Sequence, residues 1–412
     1  MSTLDDSPTS VLAEASLAGS TSPFSRDVGA VILGGDYQGL GIARSVGRQG
    51  VPVVVVDDER SIGRLSRYCD AFEAVADLGD EDRIVDDLLR IARRRGLEGW
   101  VLYPTRDETV AALARHREVL SEVFRVPTAP WETIQWAWDK RNTARIAEQV
   151  GVPTPRSWQP ADSTEIDLID GEPPWAIKPA IKEHFFYATK AKAWRADSRA
   201  ELRVLLERAW AIAGQGQMIV QELIPGDGRR QFGYGALYSN GRPLATMVCR
   251  RRRQHPPDFG RASTFVETVH EPAVEEFSER ILGAIGYDGL VELEYKQDPR
   301  TGTFKLLDFN ARTWGYHSIG PVAGVDFPYL LFRHALGEEI EPQRARPGVR
   351  WMRLLTDLPT GYVQIRAGDF GFREYVRSLR SAHVEAVFSR DDPLPGLAEV
   401  ALLPYLAVKR GF

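Results

Sequence analysis

Hydrophobic residues fall in short runs separated by amphipathic stretches, and their spacing changes along the chain. Residues 28–35 (Val-Gly-Ala-Val-Ile-Leu-Gly-Gly) form an apolar run ending in glycine, the pattern of a buried parallel strand. A helix from about Leu40 to Gln49, closed by Gly50, follows. A second apolar run then extends from Val51 to Val56 and ends at Asp57 and Asp58, completing a βαβ unit. A helix near 80–95 leads to a third strand, Trp100 to Tyr103. Pro104 to Glu108 form the loop at its carboxyl end, the edge at which open parallel sheets bind ligands. Residues 131–150 read as two helical pieces, the second capped by Asp139 and ended by Gly151. Val152 to Pro155 forces an extended link. A short strand then ends at Lys178-Pro179, a helix covers 197–213, and a strand runs from Met218 to Ile224. The stretch to about 340 alternates strands with one helix, 272–285. The divisions predicted are a mobile tail over 1–27, an N-terminal open parallel sheet domain over 28–130, a larger unit over 131–340, and a C-terminal α+β extension over 341–412. No internal repeat is visible.

The clearest pattern lies near the end of the second third. Residues 290–296 alternate apolar and polar, and residues 304–310 do so beyond Leu306. Asp298-Pro-Arg-Thr-Gly302 between them supplies turn chemistry, so the stretch predicts a β-hairpin. Side chains on a strand repeat every second residue, so Glu292 and Glu294 share a face of their strand, as do Asp308, Asn310 and Arg312 of theirs. If the strands pair, carboxylate and amide oxygens converge. Such hard ligands suit Mg²⁺, with substrate phosphates filling its remaining positions. Arg312 stands beside them, a cation where an anionic intermediate can be held. Two acids alone are an ordinary solvated hairpin face; the accompanying asparagine, arginine and upstream lysines change that balance.

Composition narrows the field without naming a function. At 412 residues the chain is long enough for more than one domain, and 43% hydrophobic with 26% charged residues is ordinary for a soluble globular protein. A net charge of −5 argues against general nucleic-acid binding. Arg250 to Arg253 is the one dense basic run, either a solvated strand edge or a set of phosphate and carboxylate contacts. Cys69 and Cys249 lie far apart without metal-ligand spacing, which fits a reducing, cytoplasmic setting. No apolar run reaches the length of a membrane span, and residues 1–26 lack the pattern of a signal peptide.

Three further motifs bear chemistry. Gly34-Gly35-Asp-Tyr-Gln-Gly39-Leu-Gly41 follows a strand and opens a helix, with Asp57 and Asp58 about twenty residues on. Its spacing is not that of a dinucleotide fingerprint, but a substrate carboxylate suits such a helix N-terminus, with Gly35 in contact. Lys140 follows the cap at the start of a helix, and Lys178 ends a strand in the apolar context Trp-Ala-Ile-Lys-Pro. Both are point charges suited to nucleotide phosphates. Gln221-Glu222-Leu223-Ile224 breaks at Pro225-Gly226, exposing backbone groups able to read an adenine edge, and Asp227 can accept from ribose hydroxyls. His184, His255 and His317 are read as hydrogen-bonded or surface histidines.

Taken in order, Asp139-Lys140, Ile177-Lys178-Pro179, Gln221 to Gly226, Glu292-Leu-Glu294-Tyr-Lys and Asp308-Phe-Asn310-Ala-Arg312 resemble the ATP-grasp superfamily. Within it the chain is most similar to carboxylate–amine ligases related to biotin carboxylase and carbamoyl-phosphate synthetase, over about residues 28–340. The resemblance implies an open parallel-sheet domain followed by a two-lobed ATP-grasp fold with a small lid at roughly 155–225. It implies ATP and Mg²⁺, with Lys140 and Lys178 on the phosphates, and Gln221 to Ile224 at the adenine. Asp227 or Gln231 is implied at the ribose, and Glu294 (or Glu292), Asp308 and Asn310 at the metal. Arg312 is the implied catalytic cation, and Gly35, Arg106, Arg253 and Arg312 the substrate contacts. Asp308 stands where the family usually has Glu. The partners implied are small carboxylate and amine substrates, with amino acids foremost; a homodimer is also considered, and neither nucleic acid nor membrane. Two rival readings are an NAD-dependent oxidoreductase using Gly34, Gly39 and Asp57, and a non-catalytic ATP-binding scaffold.

Overall fold

The computed structural model describes residues 28–181, 185, 188–189, 191–256 and 262–403. The expected tail over 1–27, His184 and part of the 252–264 stretch lie outside the described residues. Among the described residues, sixteen strands form three sheets. The first contains β1 (Ala30–Leu33), β2 (Val53–Asp57), β3 (Ala71–Ala74) and β4 (Val101–Pro104), all parallel, in the order β3-β2-β1-β4. The central pair is buried throughout and apolar except for Asp57 at the end of β2, which is why it reads as hydrophobic runs. The intervening helix, Tyr37–Gly47, starts earlier than its apolar pattern suggests, because the Asp36 carboxylate accepts from the Gln38 N–H and caps it.

The second sheet is small and antiparallel: β5 (Ser157–Trp158), β6 (Trp175–Pro179), β7 (Trp194–Ala196) and β8 (Met218–Glu222), ordered β5-β8-β6-β7. The helix Arg199–Ala213, capped by Ser198, covers one face and buries Leu202, Leu206 and Trp210 against Trp175, Ile177 and Met218.

The third sheet has eight strands: β9 (Gln231–Ser239), β10 (Arg242–His255), β11 (Ala262–Val269), β12 (Gly289–Gln297), β13 (Phe304–Asn310), β14 (Gln343–Arg344), β15 (Arg350–Met352) and β16 (Val384–Glu385). Its order is β13-β12-β9-β10-β11-β15-β16, with β14 paired to β10. One face carries Phe232, Tyr234, Ala236 and Tyr238 of β9 and packs on Ile134, Ile146 and Ile281 of flanking helices. The other face meets the first sheet through Leu237, Met247, Trp314 and Phe327. On that face β9 has Gly233 and Gly235. A Cβ at 235 would come within 2.2 Å of the Trp314 ring, and one at 233 within 1.9 Å of the Tyr316 hydroxyl. The two glycines therefore make room for aromatic rings laid across the sheet. Residues 341–403 are woven into this sheet through β14, β15 and β16 rather than appended to it. Among the described residues no helix is long and apolar enough to cross a membrane.

Candidate active site

The hairpin supplies the acids. β12 and β13 pair antiparallel with Glu292 opposite Asn310 and Glu294 opposite Asp308, so all four side chains share the face that carries Gly233 and Gly235. The connecting turn is fixed by Asp298, whose carboxylate accepts from the Arg300 N–H, and by Gly302 at φ +74°.

The small sheet stands over this end of the large one, and a cleft of about 720 Å³ separates them. Glu294 and Asp308 line its floor; Lys140, Lys178, Lys192 and Arg251 line its sides. Lys140 is the first residue of the helix Lys140–Gln149, held there by the Asp139 cap. Its ammonium donates to Asp308. Arg251 donates to Glu294 at 3.2 Å and to Gln231 at 2.6 Å. Burial alone would raise the Asp308 carboxyl, but Lys140 and Lys192 hold it well below the usual carboxylate range. Glu294 is likewise pulled down against burial, by Arg251 and Lys192. Both acids are therefore ionised at neutral pH. Lys178 is the converse case. Burial, then the neighbouring Lys140, lowers its ammonium to about 7, with Asp308 opposing weakly.

At the far end, Gln221, Glu222, Leu223 and Ile224 border the cleft with Pro173, Pro174 and Trp158. The Glu222 carboxylate turns away to the hairpin, where Arg300 and Lys305 hold it. Asp227 also lines the cleft, and its carboxylate is shared with the Arg229 N–H and guanidinium.

Glu292 lies deeper. Its carboxylate accepts from Tyr316 at 2.5 Å and from the Asn310 amide at 3.2 Å, and burial followed by the proximity of Glu294 raises it to about 7. Arg312 continues the row. It donates to Asp107 at 2.6 Å and to the Asn310 carbonyl oxygen at 3.2 Å. Asp107, Asn310, Lys140 and Asp308 together line a small cavity beside the cleft. Lys140 and Asp308 thus face both spaces.

Three of the expected substrate contacts are placed otherwise. The Gly35 N–H donates to Asp57 at 2.6 Å, and a Cβ there would come within 2.4 Å of the Ser61 hydroxyl, so no anion is cradled. Arg106 is committed to Asp57 at 3.0 Å and Asp58 at 2.9 Å. Arg253 leaves the cleft altogether. It is buried, pairs bidentately with Asp357 at 2.8 Å, and lies against the rings of Phe265 and Tyr375. The residue of that basic run which faces the cleft is its neighbour but one, Arg251, which alternation along β10 puts on the same face as Cys249 and Met247. Lys192 carried no distinguishing motif; Arg251 belonged to the basic run, but only the fold separates it from its neighbours there.

The oxygen donors Glu294, Asp308 and Asn310 fit a magnesium ion. They are hard ligands on one strand face, and two ionised carboxylates side by side raise each other's energy until a cation intervenes. Glu292 is the fourth oxygen donor of that face. Among the described residues no cluster of three or more His, Cys, Asp or Glu side chains forms a metal cage by itself.

A parallel-sheet domain, a small antiparallel sheet and a large sheet whose hairpin faces a lysine-lined cleft make a fold similar to that of ATP-grasp proteins. Residues 217–356 match the family described as ATP-grasp in the biosynthetic pathway with Ter operon. The chain is 22% identical over 300 residues to D-aspartate ligase of Enterococcus faecium (strain Aus0004), covering 68% of this chain and 70% of that one. The fold is similar to L-amino acid ligase from Bacillus licheniformis, with TM-score 0.59 and 18% identity over 76% of this chain and 75% of that one. It is also similar to biotin carboxylase from Campylobacter jejuni, solved with a β,γ-ATP ligand, with TM-score 0.59 and 16% identity over 76% and 72% of the two chains.

Proposed function

We propose that this protein is an ATP-dependent carboxylate–amine ligase that forms an amide or peptide bond through an acyl phosphate, with amino acids or similar small molecules as substrates. The observation that carries this reading is the meeting of Lys140, Lys178 and Lys192 with Glu294 and Asp308 in one cleft of about 720 Å³. The names of the D-aspartate and L-amino acid ligases support the substrate class.

Lys140 and Lys178 would grip the triphosphate, and the edge from Gln221 to Ile224 would take the adenine. Asp227 would receive the ribose. Glu294, Asp308 and Asn310 would hold magnesium, which supplies neutralisation of phosphate oxygens. A substrate carboxylate oxygen attacks the γ-phosphorus, the bond to the β-phosphate oxygen breaks, and ADP leaves. The acid-lined floor and lysine walls contribute positioning and charge compensation rather than covalent chemistry. The amine lone pair then attacks the acyl carbon, phosphate departs and the nitrogen loses a proton. Arg312, held by Asp107 beside Asn310, is the fixed cation for the oxyanion that develops. A cytoplasmic setting and a homodimer complete the reading; exposed Tyr362, Phe372 and Leu397 offer apolar contact surface.

The test is a screen for ADP release with amino acids singly and in pairs. Substrate-dependent release is expected in the wild type and its loss in Lys178→Ala and Asp308→Ala. Unchanged turnover in both variants refutes the assignment.

A further inference from the structure

A second cavity, about 390 Å³, shares no lining residue with the nucleotide cleft. It falls within the size range of small-molecule sites, about 300–1,000 Å³. Three distant parts of the chain meet around it: the carboxyl half of the helix Tyr37–Gly47, the segment 317–328 after the Arg312 loop, and residues 383–390.

Its polar groups are sorted by position. Arg48, His383 and Arg390 are exposed at the rim. His383 Nδ1 accepts from the Arg350 N–H at 3.0 Å, which leaves the proton on Nε2 and makes that edge a donor. The inner wall carries acceptors. Asp326 is half-buried and accepts from the Ser45 hydroxyl at 2.5 Å and from the Tyr329 N–H. His317 is 1% exposed, and its Nδ1 donates to the Trp314 carbonyl at 2.8 Å. Its Nε2 is therefore an acceptor, and among the described residues it has no donor. Gly41 packs closely against this edge, where a Cβ would come within 2.7 Å of Nε2. Burial lowers the His317 imidazole to about 4, in keeping with a neutral acceptor. Pro321, Val322 and Phe388 supply an apolar side.

Cationic donors outside and acceptors inside match a small molecule with an anionic group at one end and an ammonium at the other. We propose that this cavity is a second binding site, apart from the nucleotide cleft, for an α-amino-acid-type zwitterion. The ligand carboxylate meets Arg390 and His383 at the rim, beside Arg48, which Asp391 holds at 2.9 and 3.0 Å, and its ammonium meets Asp326 within. The site adjoins the Arg312 loop, because His317 follows Tyr316, whose hydroxyl holds Glu292. Binding at this site does not depend on the cleft being a ligase.

Thermal unfolding of the full chain with each common L-amino acid at millimolar concentration tests this. At least one is expected to raise Tm, while its N-acetyl and carboxamide derivatives do not. The shift is expected to persist in Asp308→Asn, which alters the cleft. It is expected to vanish in Val322→Trp, which fills the cavity from an exposed position. In Arg390→Ala, an exposed substitution without risk to the core, the affinity should fall at least about tenfold, as for loss of a charge-assisted hydrogen bond. Absence of any shift, an equal shift from the blocked derivatives, survival of the shift in Val322→Trp, unchanged affinity in Arg390→Ala, or loss in Asp308→Asn would each overturn the proposal.

Discussion

Lys178 shows how burial prepares a side chain for its ligand. Its ammonium sits at about 7 instead of 10.5 because the apolar strand around it withdraws water and Lys140 adds like charge. The unfolded chain binds this proton below 10.5 and the folded one only below about 7, so the residue weakens the fold increasingly as pH falls across that window. Lys178→Met is therefore expected to raise Tm at neutral and acid pH, with the gain shrinking to nothing near 10.5, as read by thermal unfolding across pH. A triphosphate binds the charged form. Affinity for MgATP in the wild type should be greatest below about 7 and fall by up to about tenfold per pH unit above it, until the bound-state value is reached. A flat calorimetric profile from pH 6 to 9 would contradict this. The lysine was visible in the sequence, because a charge ending an apolar strand is unusual. Lys192, which lines the same cleft, was not, since nothing in its local pattern separates it from solvated surface, and Arg251 stood out only as one of four arginines in a run.

At the scale of elements, local patterns carried a long way. The hairpin acids, the Asp139 cap and the parallel βαβ order all follow from periodicity and capping within a dozen residues. What failed depended on partners from elsewhere. Gly35 looks like an anion cradle until Asp57, brought alongside by β2, takes its N–H. Arg253 looks like a phosphate contact until Asp357 arrives from a helix a hundred residues later. Strand β9 gives the reverse lesson. Gly233 and Gly235 weaken its local β propensity, yet they admit Tyr316 and Trp314 and so let the Tyr316 hydroxyl reach Glu292. Gly235→Ala should cost about 1–3 kcal/mol by overpacking against Trp314. Urea denaturation should show this as a lower midpoint with an unchanged slope.

At the scale of the molecule, the last described segment fastens the first. The Asp392 carboxylate accepts from Arg44 at 2.9 Å, the Ser66 hydroxyl at 2.7 Å and the Arg67 N–H at 2.9 Å, while its carbonyl takes a second bond from Arg44. Arg44 and Asp392 are both almost fully buried. Asp392→Ala strands that guanidinium and should cost about 3–5 kcal/mol, measured by chemical denaturation. This tie could not be foreseen, because its partners are 348 residues apart. It has a bearing on biosynthesis. A chain emerging from the ribosome exposes Arg44 early and must keep it hydrated until Asp392, 348 residues later, has been translated. The helix that bears it therefore settles into final packing only after that point, and products terminated before it would present an unfinished, chaperone-prone surface.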